Sequence, residues 1–195
     1  MKIVRTYKKY QDYVDHQKHK TTDPKRRRVW LNDEWESKIE MFGSLFARFY
    51  DLLQKGGKAI CLCARTGQEV DALNRMGFEA IGIDLVECLP LVVEGDIHDL
   101  KFDDNEFDFA FSNSFDHSLY PEKFLSEMQR VLKPNGYGLL HLQLMEKPDK
   151  YAENVILSAD PVIEKLIDSE IIENRSLKGV PMATYHWEIL FRKKS

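Results

Sequence analysis

Two carboxylates carry the clearest chemical signal in this sequence. Asp84 closes the run Phe78 to Ile83 and lies seventeen residues beyond Gly67, and Asp96 follows the short run Leu91 to Glu94. A carboxylate at a strand end, about this far past a tight turn, can accept two hydrogen bonds from a ribose diol. Read alone, Asp84 serves equally well as the cap of a turn. Asp96 can accept from the exocyclic amine of an adenine, with Ile97 lying against the ring. The two contacts together fit an adenosine.

A third feature precedes them. KAICLCARTGQEVDAL, residues 58 to 73, reads as a buried strand, a tight turn and a helix, yet the turn holds one glycine, Gly67. In an open parallel α/β sheet, ligands bind beyond the carboxyl ends of the strands. The positions to inspect are therefore Ala64 to Gly67, Asp84, the stretch Gly95-Asp96-Ile97-His98, and Asn113 to Asp116. Cys61 and Cys63 share a strand face, but no further Cys or His at ligand spacing completes a set, so no metal site is expected.

These residues need a sheet to hold them, and the periodicity supplies one. From Lys58 onward strands and helices alternate: strands at Ala59 to Cys63, Phe78 to Ile83, Leu91 to Glu94, Phe107 to Ser112 and Tyr137 to Leu144, with helices carrying Val70, Leu73 and Met76 and then Phe124, Leu125 and Met128. Such alternation implies right-handed crossovers and a mostly parallel sheet covered by helices on both faces. The last fifty or so residues predict a helix at about Pro161 to Ser169, then strands at Glu173 to Leu177 and Tyr185 to Arg192, an antiparallel pair. Only Leu85 to Pro90 joins the second strand to the third, too short for a full crossover helix.

Ahead of the sheet, Tyr7, Tyr10, Tyr13 and Gln17 recur at helical spacing, and Pro24 ends that helix; residues 18 to 31 read as a linker. Asn32 is the expected N-cap of a second helix whose stripe is Trp35, Ile39, Phe42, Phe46, Phe49 and Leu53, closed by Gly56-Gly57. The division is thus a basic arm over residues 1 to 31 and a single domain over 32 to 195.

Charge follows the same division. Residues 1 to 28 hold ten Lys/Arg against three Asp, a net of +7, while the rest of the chain is at −11, giving −4 for all 195 residues. The arm and the acidic body attract each other. Lys25 to Arg28 reads as a solvated segment rather than an RNA contact, because no aromatic-interleaved basic face recurs in the body. No apolar run approaches the roughly 20 residues a bilayer span needs. MKIVRTYKKYQDY lacks a signal-like apolar stretch, and three cysteines suit a reducing compartment, so a cytoplasmic protein is expected.

Gly82-Ile83-Asp84, Gly95-Asp96, LKFDDNEFDFAFS (100 to 112) and DHSLYPEKFLSEMQRVLKPNGYGLLHL (116 to 142) together resemble the class I S-adenosylmethionine-dependent methyltransferases of the small-molecule branch. The chain looks most like a plant-type, methyltransferase type 11-like subgroup with GQEV after the first strand and FDHSLYP after the fourth. The resemblance covers residues 58 to 145. It implies a Rossmann-like α/β fold, S-adenosylmethionine as cofactor and S-adenosylhomocysteine as product.

It also implies roles. Against the family's LDLGCGTG, Cys61 stands for the acidic residue, Cys63 for the first glycine and Arg65 for the second, while Thr66 and Gly67 match. Cofactor contacts then fall on Ala64, Arg65, Thr66 and Gly67, on Asp84 and Leu85, on Asp96 and Ile97, and on Ser112 and Asn113. Arg65 turns outward or pairs with the cofactor's carboxylate, and Glu69 substitutes for the missing acid. His117, beside Asp116, is the base candidate, with a loop histidine satisfied by local backbone as the alternative. His98 and Tyr120 are weaker candidates, and Trp30, Trp35 and Tyr10 are candidate lid residues. Asn113-Ser114-Phe115 lacks the Pro-Pro of enzymes that methylate exocyclic amines in DNA.

A small-molecule methyltransferase is therefore the leading expectation. The alternative is a catalytically silent methyltransferase fold serving as a binding or regulatory module; an RNA methyltransferase rests on the basic arm alone.

Overall fold

A computed structural model describes residues 1–53, 56–180 and 185–195. Its centre is a seven-stranded sheet formed by β2 (Lys58–Leu62), β3 (Glu79–Asp84), β4 (Val92–Glu94), β5 (Phe107–Ser112), β6 (Leu132–Leu142), β8 (Ser169–Ser176) and β9 (Trp187–Lys193). The spatial order is β4-β3-β2-β5-β6-β9-β8. The first five strands run parallel, and β9 pairs antiparallel with both β6 and β8. The switch point, where the order reverses, falls between β2 and β5.

Alternation along β2 divides the core. Ala59 and Cys61 face α3 (Trp35–Ala47) and α4 (Gln68–Arg75), whereas Ile60 and Leu62 face α5 (Pro121–Val131). Both faces are buried, as a parallel sheet requires. Gly82 on β3 lets the turn after β2 close down, because a Cβ there would stand 2.7 Å from the Ala64 Cβ.

The N-terminal arm is helical where a linker was expected. α1 (Tyr10–Thr22) runs past residue 18, and α2 (Pro24–Arg28) follows at once and leads into a π-helical turn over Val29–Asp33. Pro24 opens a helix here, with Asp23 capping it through the Arg26 N–H at 2.9 Å. Asn32 is accordingly not an N-cap; Glu34 takes that position before α3, and the Asn32 side chain donates back to the Arg28 carbonyl.

Other boundaries move for similar reasons. α3 stops at Ala47, and Phe49 and Leu53 reach the core from the turns that follow. β6 begins at Leu132, with residues 133 to 136 looped out where its register against β5 shifts. α6 (Asp160–Ile163) is one turn long. Tyr185 and His186 lie outside β9, which is buried on both faces rather than one because Ile189 and Phe191 pack into one core cluster and Leu190 into the other. Between β3 and β4 there is no helix, as the short connection predicts. A two-stranded pair with no clear sequence signal joins β1 (Lys2–Ile3) to β7 (Asn154–Val155) and ties the arm to the body.

Candidate functional site

The turn after β2 keeps a backbone that its side chains should resist. Cys63 (φ 62°) and Arg65 (φ 47°) are both left-handed, at the two positions where the aligned motif has glycine. Each costs about 1 to 2 kcal/mol for a residue with a Cβ. The Asp84 carboxylate supports the strained turn: Oδ2 accepts the Arg65 backbone N–H at 3.0 Å and Oδ1 that of Val86 at 3.2 Å. Burial pushes the Asp84 pKa up, while those two N–H groups oppose the shift.

Two cavities meet at the carboxyl edge of the sheet. The first lies between α1 and the strand ends, comprises about 500 Å³ with its mouth included, and is lined by Tyr13, Gln17, Lys20 and Thr21 of α1 facing Cys63, Arg65, Asp84, Leu85, Gly95 and Ile97. The second, about 1000 Å³ on the same measure, is bounded by Asn113, Asp116, Gln143 and the segment Met145 to Asp149. Lys20, Arg65, Ser114 and His117 line both. They form a common wall.

Not every predicted site residue reaches these cavities. Ala64 packs against Gly82, Thr66 Oγ1 donates to Gln68 Oε1 at 2.8 Å, and Gly67 starts α4 with φ 91°. Ser112 Oγ donates to the Leu62 carbonyl and ties β5 to β2. Cys61 points into the core beneath α3 and α4, where burial raises its thiol pKa. Glu69 is buried on α4, and desolvation lifts its carboxyl to about 7.

Asp96 is held by the arm. Its Oδ2 accepts from Tyr10 Oη at 2.5 Å and its Oδ1 from the His98 N–H at 2.8 Å. Burial works against the ionised form, but bonds from His98 and Tyr10 prevail and hold the carboxyl near about 2. The His98 ring bridges onward, with Nε2 at 2.8 Å from Ser118 Oγ and 3.2 Å from the Tyr120 N–H.

His117 is fixed at both nitrogens. Nδ1 is 2.8 Å from the Tyr151 carbonyl, Nε2 is 2.9 Å from Lys20 Nζ, and Asp116 Oδ2 lies 3.9 Å from Nε2. A carbonyl can only accept and an ammonium can only donate, so the ring carries its proton on Nδ1. Burial, then the nearby Arg65, lowers the pKa of Lys20. The Arg65 guanidinium sits 5.0 Å from the Trp30 ring centroid.

Lys20, Tyr13 and Gln17 went unnoticed as site residues in the sequence. The only signal was the helical spacing of Tyr13 and Gln17, which marks a buried stripe but not what it covers. Among the described residues, no group of three His, Cys, Asp or Glu side chains could hold a metal ion, and no helix is long and apolar enough to cross a membrane.

Similarity to known proteins agrees with this fold. Residues 62–140 match the family described as a methyltransferase domain. Over 108 residues the chain is 36% identical to the demethylmenaquinone methyltransferase of Staphylococcus carnosus, a stretch that spans 45% of this chain and 43% of that relative's length. In fold it is similar to the 1,6-didemethyltoxoflavin-N1-methyltransferase of Burkholderia thailandensis, solved with 1,6-didemethyltoxoflavin and S-adenosylhomocysteine (TM-score 0.71, 14% identity, 100% of this chain and 94% of that one). It also resembles a chain from the Haloferax volcanii complex of the Trm112 methyltransferase activator (TM-score 0.67, 15% identity, 86% of this chain and 97% of that one). The fold is the Rossmann-like class I methyltransferase fold, and the resemblance to class I S-adenosylmethionine-dependent methyltransferases read from the sequence is borne out.

Proposed function

We propose that the protein is an S-adenosylmethionine-dependent methyltransferase acting on a small-molecule acceptor, with the cofactor in the first cavity and the acceptor in the second. The observation that carries this reading is the common wall of Lys20, Arg65, Ser114 and His117, since a group can pass between ligands only where their cavities meet. The residues present fit the cofactor's adenosine half: Asp84 would take the ribose, and Leu85 and Ile97 would enclose the base beside Asp96. Cys63 faces the amino-acid half, and Arg65 stands on the wall between the two cavities.

When bound, S-adenosylmethionine supplies a methyl group activated on a sulfonium and leaves S-adenosylhomocysteine. The chain's own work is alignment and the acceptor's proton. His117 Nε2 is the proton-accepting atom on the wall, and the Tyr151 carbonyl fixes its tautomer. It becomes available when the Lys20 ammonium moves off it; Asp116 then stands 3.9 Å away to steady the charged ring.

Residues 1–31 work in this reading as a cover over a single domain of residues 32–195, stapled down through β1 and through Tyr7 and Gln17, which both donate to the buried Glu153 carboxylate. A silent binding module is not favoured, because the left-handed turn after β2 persists although two of its glycines are replaced by Cys63 and Arg65. Cytoplasmic action fits three unpaired cysteines. A thermal melt tests the reading. S-adenosylhomocysteine at about 100 times its Kd should stabilise the protein by roughly 2.7 kcal/mol and raise Tm by several degrees; no rise at millimolar ligand contradicts it.

A further inference from the structure

The charged groups of Lys20 and Arg65 stand on the common wall near carboxylates but in contact with none: Asp149 and Asp116 act on Lys20, and Arg65 acts on Asp84 and Glu69, only at a distance. Among the described residues neither joins an ion pair: Lys20 Nζ meets the neutral His117 Nε2 and lies 5.4 Å from the Tyr151 ring centroid, and Arg65 stacks on Trp30. A third cation, Lys147, lines the second cavity and is also unpaired among the described residues. The carboxylates beside them are engaged or distant. Asp149 Oδ1 accepts the Tyr151 and Ala152 N–H groups at 2.7 Å, and Asp116 approaches His117 rather than either cation.

An independent observation lies on the second cavity alone. Asn113 is 4% exposed, and its Oδ1 accepts from Ser114 Oγ at 3.0 Å, but its Nδ2 has no partner. A buried donor left unsatisfied is destabilising, and a partly buried cation outside any ion pair is more so. Both costs are removed at once by an acceptor atom that also carries negative charge.

From this arrangement, and resting on the reading of the two cavities given above, we infer that the methyl acceptor carries a carboxylate or phosphate group, held in the second cavity by Lys20, Arg65 and the Asn113 amide. The anion belongs to the acceptor rather than to the cofactor, because Asn113 and Lys147 line the second cavity and not the first. Arg65 presents a planar fork suited to two oxygens, and Lys20 a point charge. An uncharged acceptor would leave all three donors unanswered.

The test uses the full chain saturated with S-adenosylhomocysteine and titrated with phenyl phosphate, benzoate and phenol. Phenyl phosphate or benzoate should bind at least about tenfold more tightly than phenol, and Lys20→Gln and Arg65→Gln should each remove about tenfold of that preference, the scale of one charge-assisted contact. Equal binding of phenol and the anions, or an anion preference untouched in both variants, overturns the inference. If both variants weaken S-adenosylhomocysteine but not 5′-methylthioadenosine, and the loaded wild type takes up no anion, the cations serve the cofactor's own carboxylate and the acceptor assignment falls. If wild-type protein binds neither nucleoside, the reading of the first cavity fails and this inference fails with it.

Discussion

The Lys20 ammonium donates to Nε2 of His117 across 2.9 Å, so a helix from the N-terminal arm caps the one atom on the common wall best placed to accept a proton. On the opposite side the ring is held by the Tyr151 carbonyl at 2.8 Å. Nitrogen-15 spectra of the imidazole should therefore show the proton on Nδ1, the less common form of a free histidine side chain. Lys20→Met should leave that assignment unchanged, because Tyr151 sets it. A spectrum with the proton on Nε2 contradicts the geometry.

Arg65 and Cys63 occupy left-handed backbone that glycine would adopt freely. Arg65→Gly relieves roughly 1 kcal/mol of strain and gives up roughly as much in Trp30 stacking, so urea unfolding should place it within about 1 kcal/mol of wild type. Arg65→Val retains the strain, adds a branch at Cβ and loses the stacking; a cost of about 2 kcal/mol is expected. Equal stability of the two variants would show that the turn does not need this conformation.

Glu69 gives the protein a pH dependence of definite sign. Its carboxyl rises from an ordinary value of 4.5 to about 7 in the folded state, chiefly through burial. The folded chain then binds more protons than the unfolded chain between those values, so stability falls as pH rises from about 4.5 to about 7. At about 1.4 kcal/mol per unit the loss over this range is between about 3 and 4 kcal/mol. Glu69→Gln should abolish that slope in denaturant titrations at several pH values, and an unchanged slope would assign it elsewhere.

Tyr10 occupies the carboxylate that an adenine amine would use. Tyr10→Phe removes the 2.5 Å bond to Asp96 and should cost about 1.5 to 3 kcal/mol of stability, the range for a hydrogen bond to a charged group. The same change frees Asp96 Oδ2, so S-adenosylhomocysteine should bind as well or better. A matching loss of affinity would mean that Tyr10 orders the site rather than competing for it.

The sheet was legible because alternating apolar runs fix strands and helices before any tertiary detail. The strand ends carried Asp84, Asp96 and His117 to one edge for the same reason. Residues 18 to 31 were not legible: Pro24 reads as a stop from its left and as a start from its right, and only the Asp23 cap decides between them. Lys20 shows the other limit. A lysine in a basic arm looks solvated until the turn of α1 brings it against His117, ninety-seven residues away. Ala64, Thr66 and Ser112 sit at motif positions yet spend their contacts on holding the turn and the strands together.

The central claim is that Asp84 supports a cofactor at the end of β3. Calorimetric titration of the full chain with S-adenosylhomocysteine, repeated with Asp84→Ala, tests it most directly. Saturable binding in the wild type, weakened in the variant by about 1 to 3 kcal/mol, is the predicted result. Equal affinity in the two proteins, both still folded, would contradict it.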